Sequence, residues 1–293
     1  ADISFGLYVC LTSGACLAID AHASEELKQK YLPRMYSGEW TGAMDLTEPH
    51  SGTDLGMIRT KAEPHADGSY SITGTKIFIT GGENDLADNI IHLVLARIKD
   101  APKGIKGLSL FLVPTQLQNE SGEWLKENNV SCIGIEEKMG IHANPTCSMS
   151  FEGSTGFLLG EVNQGINAMF AMMNEMRLGT AGQGVGLSEH SFQKSIAYAT
   201  QRTQMRSLSG PKAKDLEADP IIVHPDVRRM LLTQKVFAEG GRALSQFCSQ
   251  LLDQSHEGDI SKENAQLLDM LTPIAKGFCT EMGLESASHA IQI

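Results

Sequence analysis

The densest group of reactive side-chain types lies between Leu46 and Gly56. This stretch reads Leu-Thr-Glu-Pro-His-Ser-Gly-Thr-Asp-Leu-Gly, so hydroxyls, carboxylates, a histidine and glycines share one predicted loop. Such a loop could contact a ligand, and His50 is then a candidate contact. The alternative is a Pro/Gly turn whose Thr and Asp side chains cap its own backbone.

Four further stretches combine glycines with polar residues. They are Gly74–Gly82, Lys138–Cys147, Asn174–Leu187 and Tyr198–Arg202. The first of them is strand-like and ends in Thr-Gly-Gly. The glycines of the third do not have the spacing of a dinucleotide-binding loop and lie inside a predicted helix, which favours close helix packing.

Composition limits the class of protein. With 293 residues, 41% of them apolar and 20% charged, the chain is typical of a globular protein of about two domains. The net charge of −11 argues against nucleic-acid binding, which needs a basic face. The six cysteines form no CxxC and no zinc-finger spacing, so we expect reduced thiols, no metal site and a cytoplasmic location, with the mitochondrial matrix as an alternative.

The first residues form a long uncharged stretch, Ile3–Ile19. We expect a buried helix, because the stretch is too short to span a bilayer and no basic residue precedes it, as a signal peptide would require. The chain begins with Ala1 rather than Met and ends in a helical pattern. We therefore expect that both ends continue in a longer protein.

Three compositional zones predict an α+β fold. Residues 1–43 are helical, residues 44–160 contain short β-rich runs separated by Gly-rich turns, and residues 161–293 are helical again. The middle zone predicts an antiparallel sandwich or barrel. Pro225 is placed to begin one helix of the last zone, whereas Pro273 is expected to kink or break another.

The five polar stretches together resemble the acyl-CoA dehydrogenase family, in the family's order and spacing, from about Tyr31 to Ile293. The segment 207–227 resembles the larger, methylmercaptopropionyl-CoA dehydrogenase-like branch. The resemblance implies N-terminal helices, a middle β-domain and a C-terminal helical bundle, with bound FAD. It also implies α,β-dehydrogenation of an acyl-CoA to the trans-2-enoyl-CoA, reoxidation by an electron-transfer flavoprotein, and a homodimer or homotetramer.

The resemblance assigns five residues to the flavin. The Leu46 backbone would contact the ring system, Thr47 and Thr80 would hydrogen-bond its edge, and Phe78 would pack near it. Thr53 matches a Ser/Thr near the flavin phosphate and the acyl-CoA thioester.

It assigns four residues of the helical zone as well. Arg202 matches an arginine that reaches the FAD of a neighbouring subunit, with Met205 in place of a family aromatic. Asn174 and Arg177 align with residues near the CoA tail and the active-site wall.

The catalytic base has no clear match. The usual base position is expected beyond Ile293, and the alternative position, one residue before Arg177, is Met176. Glu175 is the fallback, although a one-residue offset turns a helical side chain by about 100°. The alternatives within this fold are an acyl-CoA oxidase and a non-catalytic flavoprotein that binds nucleic acid.

Overall fold

The computed structural model describes residues 3–119, 121–256, 258 and 260–293. The chain divides into two compact units, Ala1–Met176 and Arg177–Ile293. The limits expected for three domains, at residues 43/44 and 160/161, stay a prediction.

The first unit combines two helices with strands. Its elements in chain order are α1 (Ile3–His22), α2 (Glu25–Tyr36), β1 (Trp40–Asp45), β2 (Lys61–Pro64), β3 (Tyr70–Thr80), β4 (Asn89–Ile98), β5 (Leu108–Pro114), β6 (Gln116–Gln118), β7 (Trp124–Glu127), β8 (Val130–Ile135) and β9 (Thr146–Leu159). Helix α1 is the helix within the described residues that is long and apolar enough to cross a membrane, a test that a core helix also passes. Its residues Leu11, Ala15 and Ile19 are buried in the unit's core.

The main sheet is mixed rather than wholly antiparallel. Its strand order is β1-β4-β2-β3-β9-β5, and β4 also pairs with β5, so that five strands close into a ring. Strands β1 and β2 both run parallel to β4, while the other pairings are antiparallel. A parallel pair needs a long crossover. The chain between Asp45 and Asn89, which contains β2 and β3, supplies it for β1 and β4.

Strands β4 and β5 are buried on both faces. On β4, Ile91 and Leu93 pack with α1 and α2, whereas Ile90 and Val94 join a cluster made by the strands. Since both sides are apolar, these strands appear in the sequence as continuous apolar runs rather than alternating ones.

The second unit is helical. Helix α3 (Gly165–Gln201) runs through the boundary between the units, and α4 (Pro225–His256) and α5 (Lys262–Gln292) follow. Pro225 begins α4, as predicted. Pro273 does not break α5: Leu268 before it and Ala275 after it are both buried in one cluster with α4, and this packing outweighs the cost of about 3 kcal/mol for an internal proline.

Helix α3 approaches α5 closely through a glycine. A Cβ added to Gly184 would overlap the backbone of Cys279 on α5, whereas a Cβ at Gly182 would meet nothing within 4 Å. The glycines of this stretch therefore differ in role, and close helix packing, as the sequence indicated, applies to Gly184.

We predict opposite effects of alanine at these two positions. Gly184→Ala should lower the free energy of unfolding by roughly 1–3 kcal/mol, because α5 must move to accommodate the methyl group. Gly182→Ala should raise it by roughly 0.4–1 kcal/mol, because alanine loses less backbone entropy in a helix. Urea titration followed by circular dichroism measures both. Equal effects at the two positions would contradict the close approach.

Candidate functional site

An irregularity in β3 brings two of the polar stretches together. The register between β3 and β9 shifts between Lys76 and Ile79, and the Ile77 N–H donates to the Thr47 carbonyl at 2.9 Å. Phe78 has a φ of 61°, uncommon for a bulky residue, and its side chain is 57% exposed. A bulge re-aims side chains. This one places Thr47 beside the bulge and leaves Phe78 open to a ligand.

A buried ion pair lies directly under this loop. The Lys76 Nζ donates to the Glu48 Oε1 at 2.9 Å and to the Leu46 carbonyl at 3.0 Å. Lys76 is 0% and Glu48 3% exposed. The pair therefore ties the residues on either side of Thr47 to one atom of β3.

The remaining acceptor positions of Glu48 are filled by the segment before β2. Its Oε2 accepts the Arg59 N–H at 2.8 Å, and its Oε1 accepts the Thr60 N–H at 3.0 Å and the Thr60 hydroxyl at 2.6 Å. A Cβ at Gly74 would overlap the Thr60 side chain. Glycine at position 74 thus leaves room for the Thr60 hydroxyl beneath Glu48.

The electrostatics favour a charged pair. Burial by itself raises the pKa of Glu48, but Lys76 and the hydrogen bonds from Thr60 and Arg59 outweigh it, so the pKa lies below its usual range. Burial lowers the pKa of Lys76, and Glu48 opposes that shift.

The end of β3 forms the other edge of the site. The Gly81 N–H donates to the Pro145 carbonyl at 2.8 Å, and the Asn84 side chain donates to the Gly81 carbonyl at 3.3 Å. A Cβ at Gly81 would lie 3.2 Å from the ring of Tyr8 on α1. This turn fixes Thr80, which is half-buried, just beyond the bulge.

The predicted flavin contacts of the first unit fall into two groups. Leu46 and Thr47 are half-buried and lie next to the β3 segment that carries Phe78 and Thr80, so four of the five come together. Thr53 is exposed, further along the loop.

His50, considered as a ligand contact, has its Nε2 3.1 Å from the Met57 carbonyl and so closes its own loop.

Asn174 and Glu175 lie on the part of α3 that belongs to the first unit. Glu175 is half-buried, and its charge adds to burial in raising the pKa of the Cys10 thiol on α1.

Asp45, the last residue of β1, has a buried partner. Its Oδ2 lies 2.9 Å from the Nδ1 of His92 on the parallel strand β4, and both side chains are 0% exposed. Within the described residues no group of three or more His, Cys, Asp or Glu side chains could hold a metal ion.

In the second unit, Arg202 and Met205 lie at the start of a loop organised by one carboxylate. Asp219 is 0% exposed and accepts the N–H groups of Ser207, Lys212 and Ala213 at 2.7–2.9 Å. The Arg206 guanidinium adds a contact at 3.3 Å. Arg177, at the start of this unit on α3, is half-buried.

The same loop is closed by backbone hydrogen bonds around Asp219. The Gln204 N–H donates to the Asp219 carbonyl at 2.9 Å, and the Asp219 N–H donates to the Met205 carbonyl at 2.8 Å. The Ile221 N–H donates to the Arg202 carbonyl at 2.8 Å. Arg202 and Met205, both exposed, are therefore carried by a well-tied backbone.

Sequence reasoning missed Lys76, Glu48 and Asp219 as organising residues. Lys76 could have been found from the sequence, because it lies on the same face of β3 as the buried Ile72, four residues earlier. A lysine at such a position needs a buried acid. Asp219 carried no such signal, since most of its donors are backbone N–H groups.

Comparison with known proteins gives consistent matches. Sequence profiles described as acyl-CoA dehydrogenase, middle domain, and acyl-CoA dehydrogenase, C-terminal domain, match residues 43–154 and 163–293. The chain is 46% identical over 295 residues to 3-methylmercaptopropionyl-CoA dehydrogenase of Ruegeria pomeroyi, covering 100% of this chain and 50% of that protein. It is 41% identical over 304 residues to a butyryl-CoA dehydrogenase of Syntrophomonas wolfei, covering 100% and 49%.

A solved structure shows the same fold. Butyryl-CoA dehydrogenase from Megasphaera elsdenii matches with a TM-score of 0.78 and 25% identity, over 99% of this chain and 67% of that chain. The chain spans about half the length of these curated relatives.

We predict that Asp219→Asn loosens the loop in a pH-dependent way. The backbone hydrogen bonds from Ala213 and Ser207 hold the pKa of Asp219 well below its usual range. Its stabilising effect is therefore complete above about pH 4, the ordinary aspartate pKa, and is lost as the pH falls below that value. Thermal unfolding should separate wild type and variant at pH 7, and the gap should shrink toward pH 3.

The matched control is Asp215→Asn, which changes an exposed carboxylate of the same loop. It should leave the unfolding midpoint unchanged at both pH values. A gap for Asp219→Asn that stays constant with pH would show that its carboxylate is not the organising group.

Proposed function

This chain belongs to the acyl-CoA dehydrogenase family, as its sequence predicted, and we propose that the complete protein is an FAD-dependent acyl-CoA dehydrogenase. The reaction is the removal of two hydrogens from an acyl-CoA thioester to give the trans-2-enoyl-CoA. The observation that carries this proposal is the meeting of Thr47, Phe78 and Thr80 at the β3 bulge.

The residues at the bulge fit the edge of a flavin. Thr47 and Thr80 offer hydroxyl groups on two adjacent segments, and the exposed ring of Phe78 between them offers an aromatic surface. Hydrogen bonds to a flavin ring tune its electronics. We assign Leu46, Thr47, Phe78 and Thr80 to the ring and Thr53 to the phosphate side. When bound, FAD supplies the acceptor for the hydride that leaves the β-carbon.

The substrate contacts are part of the same proposal. Asn174 and Arg177 bind near the CoA tail and the active-site wall, and Thr53 also lies near the thioester. The base that removes the α-proton lies beyond Ile293 in the complete protein. Glu175, half-buried on α3, is the alternative.

The proposed partners follow from the family. The complete protein forms a homodimer or homotetramer in which Arg202 and Met205 reach the FAD of a neighbouring subunit. Both side chains are exposed and available for such a contact. An electron-transfer flavoprotein accepts the electrons, and we propose a cytoplasmic location.

We predict that Thr80→Val in the complete protein weakens FAD binding by roughly 3- to 10-fold, because one hydrogen bond of ~1 kcal/mol is lost at nearly constant volume. Titration of the apoprotein with FAD, followed by flavin fluorescence, measures the dissociation constant. Thr73→Val is the matched control, since Thr73 lies on the same strand but is exposed. Equal dissociation constants for Thr80→Val and Thr73→Val would remove Thr80 from the site.

We predict that acyl-CoA bleaches the flavin absorbance of the complete protein, whereas residues 1–293 loaded with FAD react slower by roughly 10²–10⁴-fold, because a positioned base is absent. Anaerobic stopped-flow absorbance over a panel of chain lengths measures both rates. If the shorter chain bleaches as fast, Glu175→Gln tests the alternative base. Bleached flavin that dioxygen reoxidises at a rate equal to turnover would instead indicate an oxidase.

A further inference from the structure

We infer that Lys76 is a positioning residue for the flavin edge: by binding the Leu46 carbonyl and the Glu48 carboxylate together, it holds Thr47 in place beside the β3 bulge. This inference rests on the proposed function, because it concerns how the chain presents Thr47 to FAD. Lys76 itself is fully buried and is not proposed to touch the cofactor.

Three consecutive loop residues are held by two consecutive strand residues. The Lys76 Nζ reaches the Leu46 carbonyl at 3.0 Å and the Glu48 Oε1 at 2.9 Å, while the Ile77 N–H reaches the Thr47 carbonyl at 2.9 Å. Each contact restrains a different residue of the loop. The Thr47 backbone is therefore set from both sides and from its own carbonyl.

The loop is also closed on its far side. Glu48 and Ser51 exchange backbone hydrogen bonds, each at 2.9 Å. With Glu48 bound to Lys76 and to Thr60, this small turn cannot shift without breaking buried contacts. The residues on both sides of Thr47 are thus held by one ammonium group, while the Ile77 N–H holds the Thr47 carbonyl.

Stability alone does not account for an ion pair here. Replacing a buried ion pair by apolar residues of similar volume is often neutral or stabilising, because burial removes both charges from water. Directional contacts, in contrast, require atoms at defined positions. An apolar residue at position 76 could fill the space but could bind neither the Leu46 carbonyl nor Glu48.

The pair also provides the precision that a cofactor contact requires. A side chain that contacts a cofactor must be held by its neighbours to within about 0.5 Å of its productive position. Because of the bulge, Ile77 and Phe78 have no partner residue on β9, so pairing between the two strands does not fix this segment. Lys76 is the last residue of β3 paired with β9 before the bulge, which places its contacts where the sheet's own restraint ends.

The test uses the complete protein and the double variant Glu48→Gln/Lys76→Met, which removes both charges and nearly keeps both volumes. We expect the apoprotein to fold with a lowered thermal midpoint, because the introduced amide has one acceptor oxygen for donors that now lie on both carboxylate oxygens. We expect the FAD dissociation constant to rise by at least ~10-fold and the turnover number to fall by ~10–100-fold, since small misplacements at a reacting centre have effects of that size. KM for the acyl-CoA should change less than the turnover number.

The matched control is Asn128→Ala, a destabilising change elsewhere in the same unit. Asn128 is buried and donates to the Pro114 and Thr155 carbonyls, each at 2.8 Å. It should lower the thermal midpoint while leaving the FAD dissociation constant and the flavin absorbance spectrum as in wild type. This pattern separates loss of stability from loss of positioning.

The outcomes are distinct. If the double variant binds FAD with wild-type affinity and spectrum, the inference about Lys76 is overturned while the proposed function stands. If wild-type complete protein does not bind FAD, the proposed function itself fails. Should the double variant not fold, Lys76→Met alone decides, because the Glu48 carboxyl can then take up a proton and keep its contacts with Arg59 and Thr60: weaker FAD binding supports the inference, and unchanged binding overturns it.

Discussion

A lysine whose side chain is excluded from water needs a carboxylate within reach, and this requirement organises the first unit. Lys76 is fully buried on β3, and Glu48 comes from a loop 28 residues earlier in the chain. Because Glu48 must reach inward, the Leu46–Gly56 loop is drawn onto β3. The segment before β2 then completes the acceptor positions of the carboxylate through Arg59 and Thr60. One buried charge thereby decides where three separate segments meet.

The strand ring gives this arrangement a rigid base. Strands β4 and β5 are buried on both faces. One face packs against α1 and α2, and the other packs against the remaining strands of the ring. The crossover that makes β1 parallel to β4 brings the end of β1, at Asp45, directly to the start of the loop. Asp45 is itself fixed by His92 on β4. The loop therefore leaves the sheet from an anchored residue and returns to it at Thr60.

Local patterns in the sequence predicted what depends on neighbours along the chain. Turns, caps and periodicity depend on residues that are close in the sequence. The sequence therefore predicted the helix start at Pro225, the strand-like runs and the polar stretches. The parallel pairing of β1 with β4 was not readable, since it joins residues more than forty positions apart. The partner of Lys76 could not be predicted either. Three acidic residues lie between positions 45 and 54, namely Asp45, Glu48 and Asp54, and the fold decides that Glu48 accepts the hydrogen bond. The break expected at Pro273 was wrong, because packing with α4 on both sides of it compensates for its cost.

The two units use carboxylates in different ways, and the difference has a consequence for function. Glu48 is bound by a cation on a strand as well as by Arg59 and Thr60, so its position is linked to the register of β3 and to the bulge that presents Phe78. Asp219 is held mainly by backbone N–H groups within thirteen residues of it, so its loop is a local structure. A local loop can change in length and sequence without disturbing the helices that carry it. The ring cannot, because Glu48 joins its loop both to β3 and to the segment before β2. Differences between branches of the family are therefore expected to concentrate in the Asp219 loop rather than at the Glu48–Lys76 contact.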